Sequence, residues 1–251
     1  MDKGIFEALA PTGVLRAGIN MSNFLLVSGT LPDGTPDGIS PDIARRIAKE
    51  LGVECNFVLF DRPGDLADAV DANIWDIGNI AFEGARAHTI DFSIPYVLID
   101  ANFLVHKDSR FTRNDDIDTG GTKIAVAERS AYDLWLSDHF TNAEIIRTTS
   151  IPESHNTFRR GETDILASLK PKLLEELDAS DLYKLIEPPF TTIQQSVGIR
   201  KGHKVARDFL NNLISDLILN GFITGLLKKQ RVDQKLSIPD TAKQKSQNKT
   251  D

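Results

Sequence analysis

The sequence predicts an α/β fold in two lobes, each a mainly parallel sheet flanked by helices, joined by two hinge strands. Three observations carry this. A strand–helix–strand–helix–strand series runs from Val14 to Ile80, a second such series runs from Lys123 to Ala167, and the chain closes in amphipathic helices. Alternating strands and short helices imply parallel strands joined by right-handed crossovers.

The first series opens with a strand over Val14 to Asn20, followed by the turn-rich Leu31–Gly38. Helix signals then stack. Ser40 suits an N-cap, Pro41 the first helical position, Ile43, Ile47 and Leu51 share one face, and Gly52 is the stop. Val53 to Phe60 alternates as a strand, Leu66 to Val70 reads as a short helix, and Ile74 to Ile80 as the third strand. The second series repeats the plan. Its strands are expected at Lys123–Ala127, Glu144–Thr148 and Thr163–Ala167, with helices from Ser130 to Phe140 and from Ser154 to Arg160. The halves echo each other locally, since Asp76-Ile77 and Asp164-Ile165 each open a strand after a short helix.

Two connections join the lobes, through Asn102 to His106 and through Thr191 to Arg200. Val205, Phe209, Leu213 and Leu217 form an apolar stripe, and Asn220-Gly221 breaks it before a last helix at Phe222 to Lys229. The expected division is residues 1–104 with 196–238 as lobe 1, 105–195 as lobe 2, and 239–251 as a polar disordered tail.

Composition narrows the function. The chain has 251 residues, 41% hydrophobic and 26% charged, with a formal charge of −7. An acidic balance argues against nucleic acid or an anionic membrane surface as partner. No apolar run approaches the roughly 20 residues that span a bilayer. The N-terminal stretch lacks an apolar signal region, so a cytoplasmic protein or a mature form without its leader is expected. Cys55 is the only cysteine, read as a core residue, and the five histidines form no metal-binding spacing. No metal or cofactor is expected.

In open α/β sheets ligands bind beyond the carboxyl ends of the strands. Those ends bring forward Asn20, Asn23, Phe24, Asn79, Ala81 and Arg86 in the first lobe, and Arg129, Ser130, Ala131 and Leu169 in the second. Arg86 stands out because a planar guanidinium grips a carboxylate through two parallel hydrogen bonds. Its alternative is a surface pair with Glu83. Ser130 opens a helix whose free N–H groups attract anions, or it simply caps that helix with Asp133 as its box partner.

The motifs together resemble the bacterial extracellular solute-binding proteins of family 3, which serve polar amino acid ABC transporters. The resemblance rests on Gly38-Ile39-Ser40-Pro41-Asp42-Ile43-Ala44, on Trp75-Asp76-Ile77, on Arg86, and on Asp91-Phe92-Ser93-Ile94-Pro95-Tyr96. It spans roughly residues 12 to 236. It implies a type II periplasmic-binding-protein fold that closes on a small solute in the interlobe cleft, with Arg86 binding the ligand carboxylate. It also implies a periplasmic, monomeric protein working with an ABC permease.

Departures from the family pattern sharpen the expectation. Ala81 stands where a Thr or Ser usually shares the carboxylate, and Leu169 where an acid usually holds the α-ammonium. Asn20 replaces a frequent Asp, and Arg129-Ser130-Ala131 replaces Gly-Thr-Thr. An ammonium closed against leucine would lose its hydration without a partner. The expected ligand is therefore an organic acid or an atypical amino acid, with Arg62 and Arg129 as possible further cations. The alternatives are a cyclohexadienyl dehydratase-like enzyme, for which Glu83 and Glu128 are the acidic candidates, and a ligand-sensing domain on the same fold.

Overall fold

The computed structural model describes residues 2–240, which fall into two compact units, residues 2–98 with 194–240 and residues 99–193. The expected tail falls mostly on residues 241–251, which lie outside the described residues. The chain passes from one unit to the other twice, once within each of two long strands.

In chain order the first unit holds α1 (Lys3–Leu9), β1 (Val14–Asn20), the two-residue ladder of β2 (Gly29–Thr30) with β3 (Pro36–Asp37), α2 (Ile39–Leu51), β4 (Glu54–Phe60), α3 (Pro63–Asp68), β5 (Ile77–Ala81) and β6 (Ile90–Phe92). A 3-10 turn, Arg86–His88, separates β5 from β6. The second unit holds most of β7 (Val97–His106), then β8 (Lys123–Ala127), α4 (Ala131–His139), β9 (Glu144–Thr148), α5 (Ile151–Arg159), β10 (Ile165–Leu169) and α6 (Lys170–Ala179). β11 (Tyr183–Arg200) leads back, and α7 (Lys204–Leu219) and α8 (Phe222–Lys229) complete the first unit.

In the first unit the strand order is β4-β1-β5-β11, with β6 on the far side of β11. β1 pairs parallel with both β4 and β5, while β11 runs antiparallel to β5 and β6. In the second unit the order is β11-β7-β10-β8-β9, with β8 parallel to β9 and β10, and β7 antiparallel to β10. Each sheet is mixed only where a crossing strand joins it.

One interaction appears in both units. Asp76 donates its backbone N–H to the Arg16 carbonyl (2.8 Å), and its carboxylate accepts the Arg16 N–H (2.8 Å) and the Arg16 guanidinium (2.6 Å). Asp164 repeats the backbone part on Lys123, donating to its carbonyl (3.0 Å) and accepting its N–H (2.9 Å). The expected strands from Ile74 and Thr163 therefore begin later, at Ile77 and Ile165, because the residues before them are spent on this clasp and on the Trp75 indole, which donates to the Leu66 carbonyl at 3.0 Å.

Helix starts also differ from expectation, each time toward the N-terminus. α2 starts at Ile39 with Gly38 as its cap, not Ser40. The Ser40 N–H donates to the Leu26 carbonyl, and its hydroxyl meets the buried Tyr96 hydroxyl at 3.1 Å. α3 starts at Pro63 rather than Leu66, with proline fixing the first turn. α5 starts at Ile151, capped by Ser150, while the Ser154 hydroxyl bonds back to the Ile151 carbonyl. On α7 the buried stripe is Ala206, Leu210, Leu213, Ile214 and Leu217, leaving Val205 51% exposed and correcting the expected face by about one residue. Cys55 lies on the edge strand β4 and is only half-buried, not a core residue, though burial still pushes its thiol up to about 11. No single helix among the described residues is long and apolar enough to cross a membrane.

Gly38 is the position where glycine is required. Its φ is +134°, and a Cβ there would lie 2.4 Å from the Leu26 carbonyl oxygen. Gly38→Ala is expected to lower unfolding stability by about 2–3 kcal/mol, from backbone strain and displacement of the Leu26 segment. Urea unfolding of the variant and parent measures it; an unchanged midpoint would refute the close-approach argument.

Candidate functional site

The strand ends that carry the expected site residues are fixed by the two clasps. In the first unit, Asn20 ends β1 and folds its amide oxygen back to accept from the Ser22 N–H (3.2 Å) and hydroxyl (2.7 Å). The Asn23 side chain accepts from the Leu25 N–H at 3.3 Å, so both asparagines shape the loop after β1. Phe24, in the same loop, is 36% exposed. Asn79 sits inside β5 between Ile19 of β1 and Val197 of β11, 3% exposed, with no partner for either amide atom.

Arg86 opens the 3-10 turn that follows β5 and is 6% exposed. Its Nη1 donates to the Ala81 carbonyl at 3.0 Å, and its backbone N–H donates to the Glu83 carbonyl at 3.0 Å. Ala81 ends β5, so a residue without a side-chain hydroxyl still holds the arginine, through its main chain. A charge this buried is a costly placement that demands compensation by hydrogen bonds or by an anion. Arg62 turns instead to Asp65, on which its Nε donates at 3.1 Å, with both side chains about half exposed.

In the second unit, Arg129 adopts a left-handed backbone, φ +57°, in the turn between β8 and α4. Asp133 supports this strained conformation: its carboxylate accepts the Arg129 N–H at 2.7 Å and the Arg147 Nε at 2.9 Å. Ser130 is the N-cap of α4, as expected, and its hydroxyl accepts the Asp133 N–H at 3.1 Å. The expected capping box is only half present, because the Asp133 carboxylate serves Arg129 and Arg147. Ala131 is the first residue of α4 and is buried. Leu169 ends β10, caps α6 without a side-chain bond and is 7% exposed. Glu83 and Glu128 follow β5 and β8 respectively, and the Glu128 N–H donates to Thr148.

Sequence reasoning missed a buried polar group in the second unit. His155 Nδ1 lies 2.8 Å from the Glu176 carboxylate, and its Nε2 lies 3.2 Å from the Ser168 hydroxyl. Ser168 adjoins Leu169. Tyr132, on the first turn of α4, is buried, and desolvation pushes its phenol up to about 12. No pattern in the sequence announces this set, whose members come from α4, α5, β10 and α6. Among the described residues no group of His, Cys, Asp or Glu could hold a metal ion. A groove of about 820 Å³ in the first unit, lined in part by Phe82, Phe92, Ser196 and Lys204, contains none of the expected site residues.

The sequence pattern of the bacterial extracellular solute-binding proteins, family 3, matches residues 19–230. The L-cystine-binding protein TcyJ of Escherichia coli K12 is 25% identical over 244 residues, covering 91% of this chain and 86% of TcyJ. Among solved structures, a cysteine-binding protein from Campylobacter jejuni superposes with a TM-score of 0.72 at 22% identity, over 90% of this chain and 92% of the other. An ancestral amino acid-binding protein, AncCDT-1, a precursor of cyclohexadienyl dehydratase, gives 0.71 at 22% identity, over 90% and 98%. These structures share the two-lobed α/β fold expected from the sequence.

The Arg129 turn depends on Asp133, which is 2% exposed. Asp133→Ala is expected to cost about 2 kcal/mol, because it strips an acceptor from the Arg129 N–H and from Arg147. Chemical unfolding checks the magnitude; a loss within about 0.5 kcal/mol, the range of ordinary surface substitutions, would contradict it.

Proposed function

The chain belongs to the bacterial extracellular solute-binding proteins of family 3, and on that premise we propose that it captures a small carboxylate-bearing solute outside the cytoplasm and delivers it to an ABC permease. The solute is an organic acid or an atypical amino acid. The observation that carries this reading is Arg86, a buried guanidinium fixed at the end of β5 by the Ala81 carbonyl. A guanidinium has five N–H donors in one plane, and a carboxylate matches two of them side by side. The anchor therefore suits a carboxylate better than it suits a phosphate-free neutral solute or a cation.

The second unit supports the unusual part of the reading. Leu169 closes β10 with an apolar side chain, so an α-ammonium set against it would be desolvated without an acid. The family relative that binds L-cystine is compatible with this, since cystine is itself an atypical amino acid with two carboxylates. On the second unit Ser130 and the N-terminus of α4 offer polar contacts, and on the first unit Asn20, Asn23, Phe24 and Asn79 remain the candidates beside Arg86. The lobes of this proposal, expected at residues 1–104 with 196–238 and at 105–195, correspond to the two units, whose crossings lie a few residues earlier at 98/99 and 193/194, and they work as a monomer.

A thermal-shift screen of organic acids, amino acids including L-cystine, and oligopeptides tests the reading. A solute at about 100 times its dissociation constant should add roughly 2.7 kcal/mol of stability. Arg86→Lys keeps the charge but not the fork, and its affinity for that solute is expected to fall by about tenfold or more, about 1.4 kcal/mol. Unchanged affinity in a folded Arg86→Lys protein removes the anchor. Leu169→Asp should admit ordinary α-amino acids that the parent rejects; tight binding of those amino acids by the parent overturns the role given to Leu169.

A further inference from the structure

Two amides without partners share a face of the sheet with Ala81 at the end of β5. In an antiparallel pair, residues directly opposite one another point to the same face, and so do residues two apart on one strand. Gln195 of β11 stands opposite Ala81, and Val197 opposite Asn79. Asn79, Ala81 and Gln195 therefore turn to one face. Gln194 and Ser196 turn to the other, where both line the groove of about 820 Å³.

The main chain at Gln195 is held firmly. Its carbonyl accepts the Tyr96 N–H at 2.8 Å, and the preceding carbonyl, of Gln194, accepts the Phe82 N–H at 2.9 Å. Two residues on, the Val197 N–H donates to the Ser93 hydroxyl at 3.0 Å, and the Ser93 N–H donates to the Val197 carbonyl at 2.8 Å. The side chain is not held. Gln195 is 6% exposed, and among the described residues no hydrogen bond reaches its amide. Asn79 is likewise unpartnered, but both its amide atoms are sealed, whereas the Gln195 amide keeps part of its surface open. A glutamine taken this far out of water without a partner is a costly placement. The Arg86 guanidinium is fixed at the same strand end, where its Nη1 donates to the Ala81 carbonyl at 3.0 Å.

We infer that Gln195 is a ligand-binding residue whose amide N–H donates to the solute carboxylate beside the Arg86 guanidinium. The inference rests on the reading that the solute carries a carboxylate held at Arg86. A carboxylate has about four lone-pair sites, and a guanidinium fork occupies only two of them. An uncharged amide donor suits the rest. The Ala81 side chain, about 5 Å away across the strands, is a methyl and cannot make that bond itself. Gln195 is also the second residue of the first unit after the chain returns at 193/194, so a solute bound to it engages the returning strand beside the crossing.

The test uses the full chain labelled with ¹⁵N-glutamine and ¹⁵N-arginine and titrated with L-cystine and with sodium acetate. The Gln195 side-chain signals are assigned by their loss in Gln195→Leu, and the Arg86 Nε–H by its loss in Arg86→Lys. Both groups are expected to shift with the same carboxylate. A shift at Arg86 alone overturns the inference and leaves the anchor standing; a shift at Gln195 alone supports the inference and removes the anchor; silence at both overturns both. Gln195→Leu is expected to bind the carboxylate that shifts the parent about tenfold more weakly, and Gln195→Glu, which sets a like charge against it, more weakly still. Unchanged affinity in either variant overturns the inference. Without solute, Gln195→Leu loses only an unpartnered amide, so its urea midpoint is expected to hold or rise. A fall in that midpoint marks Gln195 as a structural residue and overturns the inference as well.

Discussion

The aspartate clasp is the constraint on which both units depend. Asp76 precedes β5 and engages Arg16, which fixes the parallel register that begins at Ala17 opposite Ile77. Asp164 precedes β10 and engages Lys123, which fixes Ile124 opposite Ile165. A slip of one residue would turn every side chain of such a strand to the other face. The clasp acts at the entry of each strand, and the functional consequence appears at its exit. Ala81 and Leu169 end those two strands, and each sits where it does because an aspartate five residues earlier does not move.

Polar groups buried near those exits are satisfied by the main chain or by one another. Arg86 is held by a carbonyl, and Asp133 supports a left-handed arginine through a backbone N–H. Holding such groups by main-chain bonds limits their motion, which would reduce the ordering cost of binding the proposed solute. Exceptions include the Tyr132 and Ser196 hydroxyls and Asn79, whose two amide atoms are both unpartnered inside β5. A desolvated amide of this kind is a place where structural stability is given up.

Much of this was legible in the sequence. β1, β8, β9 and the start of α4 follow from alternation and from Ser130 as a cap, which are local signals. The repeated Asp-Ile pair pointed to the two equivalent strands, although not to the clasp itself. The starts of α2, α3 and α5 lie upstream of those the sequence suggests at Ser40, Leu66 and Ser154, because Gly38, Pro63 and Ser150 set the first turns. Ser40 is claimed by Leu26 and Tyr96, and Gly38 is fixed by a close approach of chain segments distant from any helix signal. On α7 Leu213 and Leu217 are buried as their spacing predicts, while Ala206 and Leu210 take the places expected for Val205 and Phe209, because two overlapping apolar faces differ by one residue. The Ser168, His155 and Glu176 set was invisible, since its members are 13 and 21 residues apart and meet only through the packing of α5 and α6 beside β10.

The second unit is one uninterrupted piece of chain, whereas the first is assembled from two. During synthesis the residues of β7 through α6 emerge together, and every strand partner they need within β8, β9 and β10 is already present. The first unit has to wait. β5 lacks its antiparallel neighbour, and α1 its packing partner α7, until residues 194–219 have been made. The inserted half can therefore be complete while its host is still open, which orders the two folding events in time.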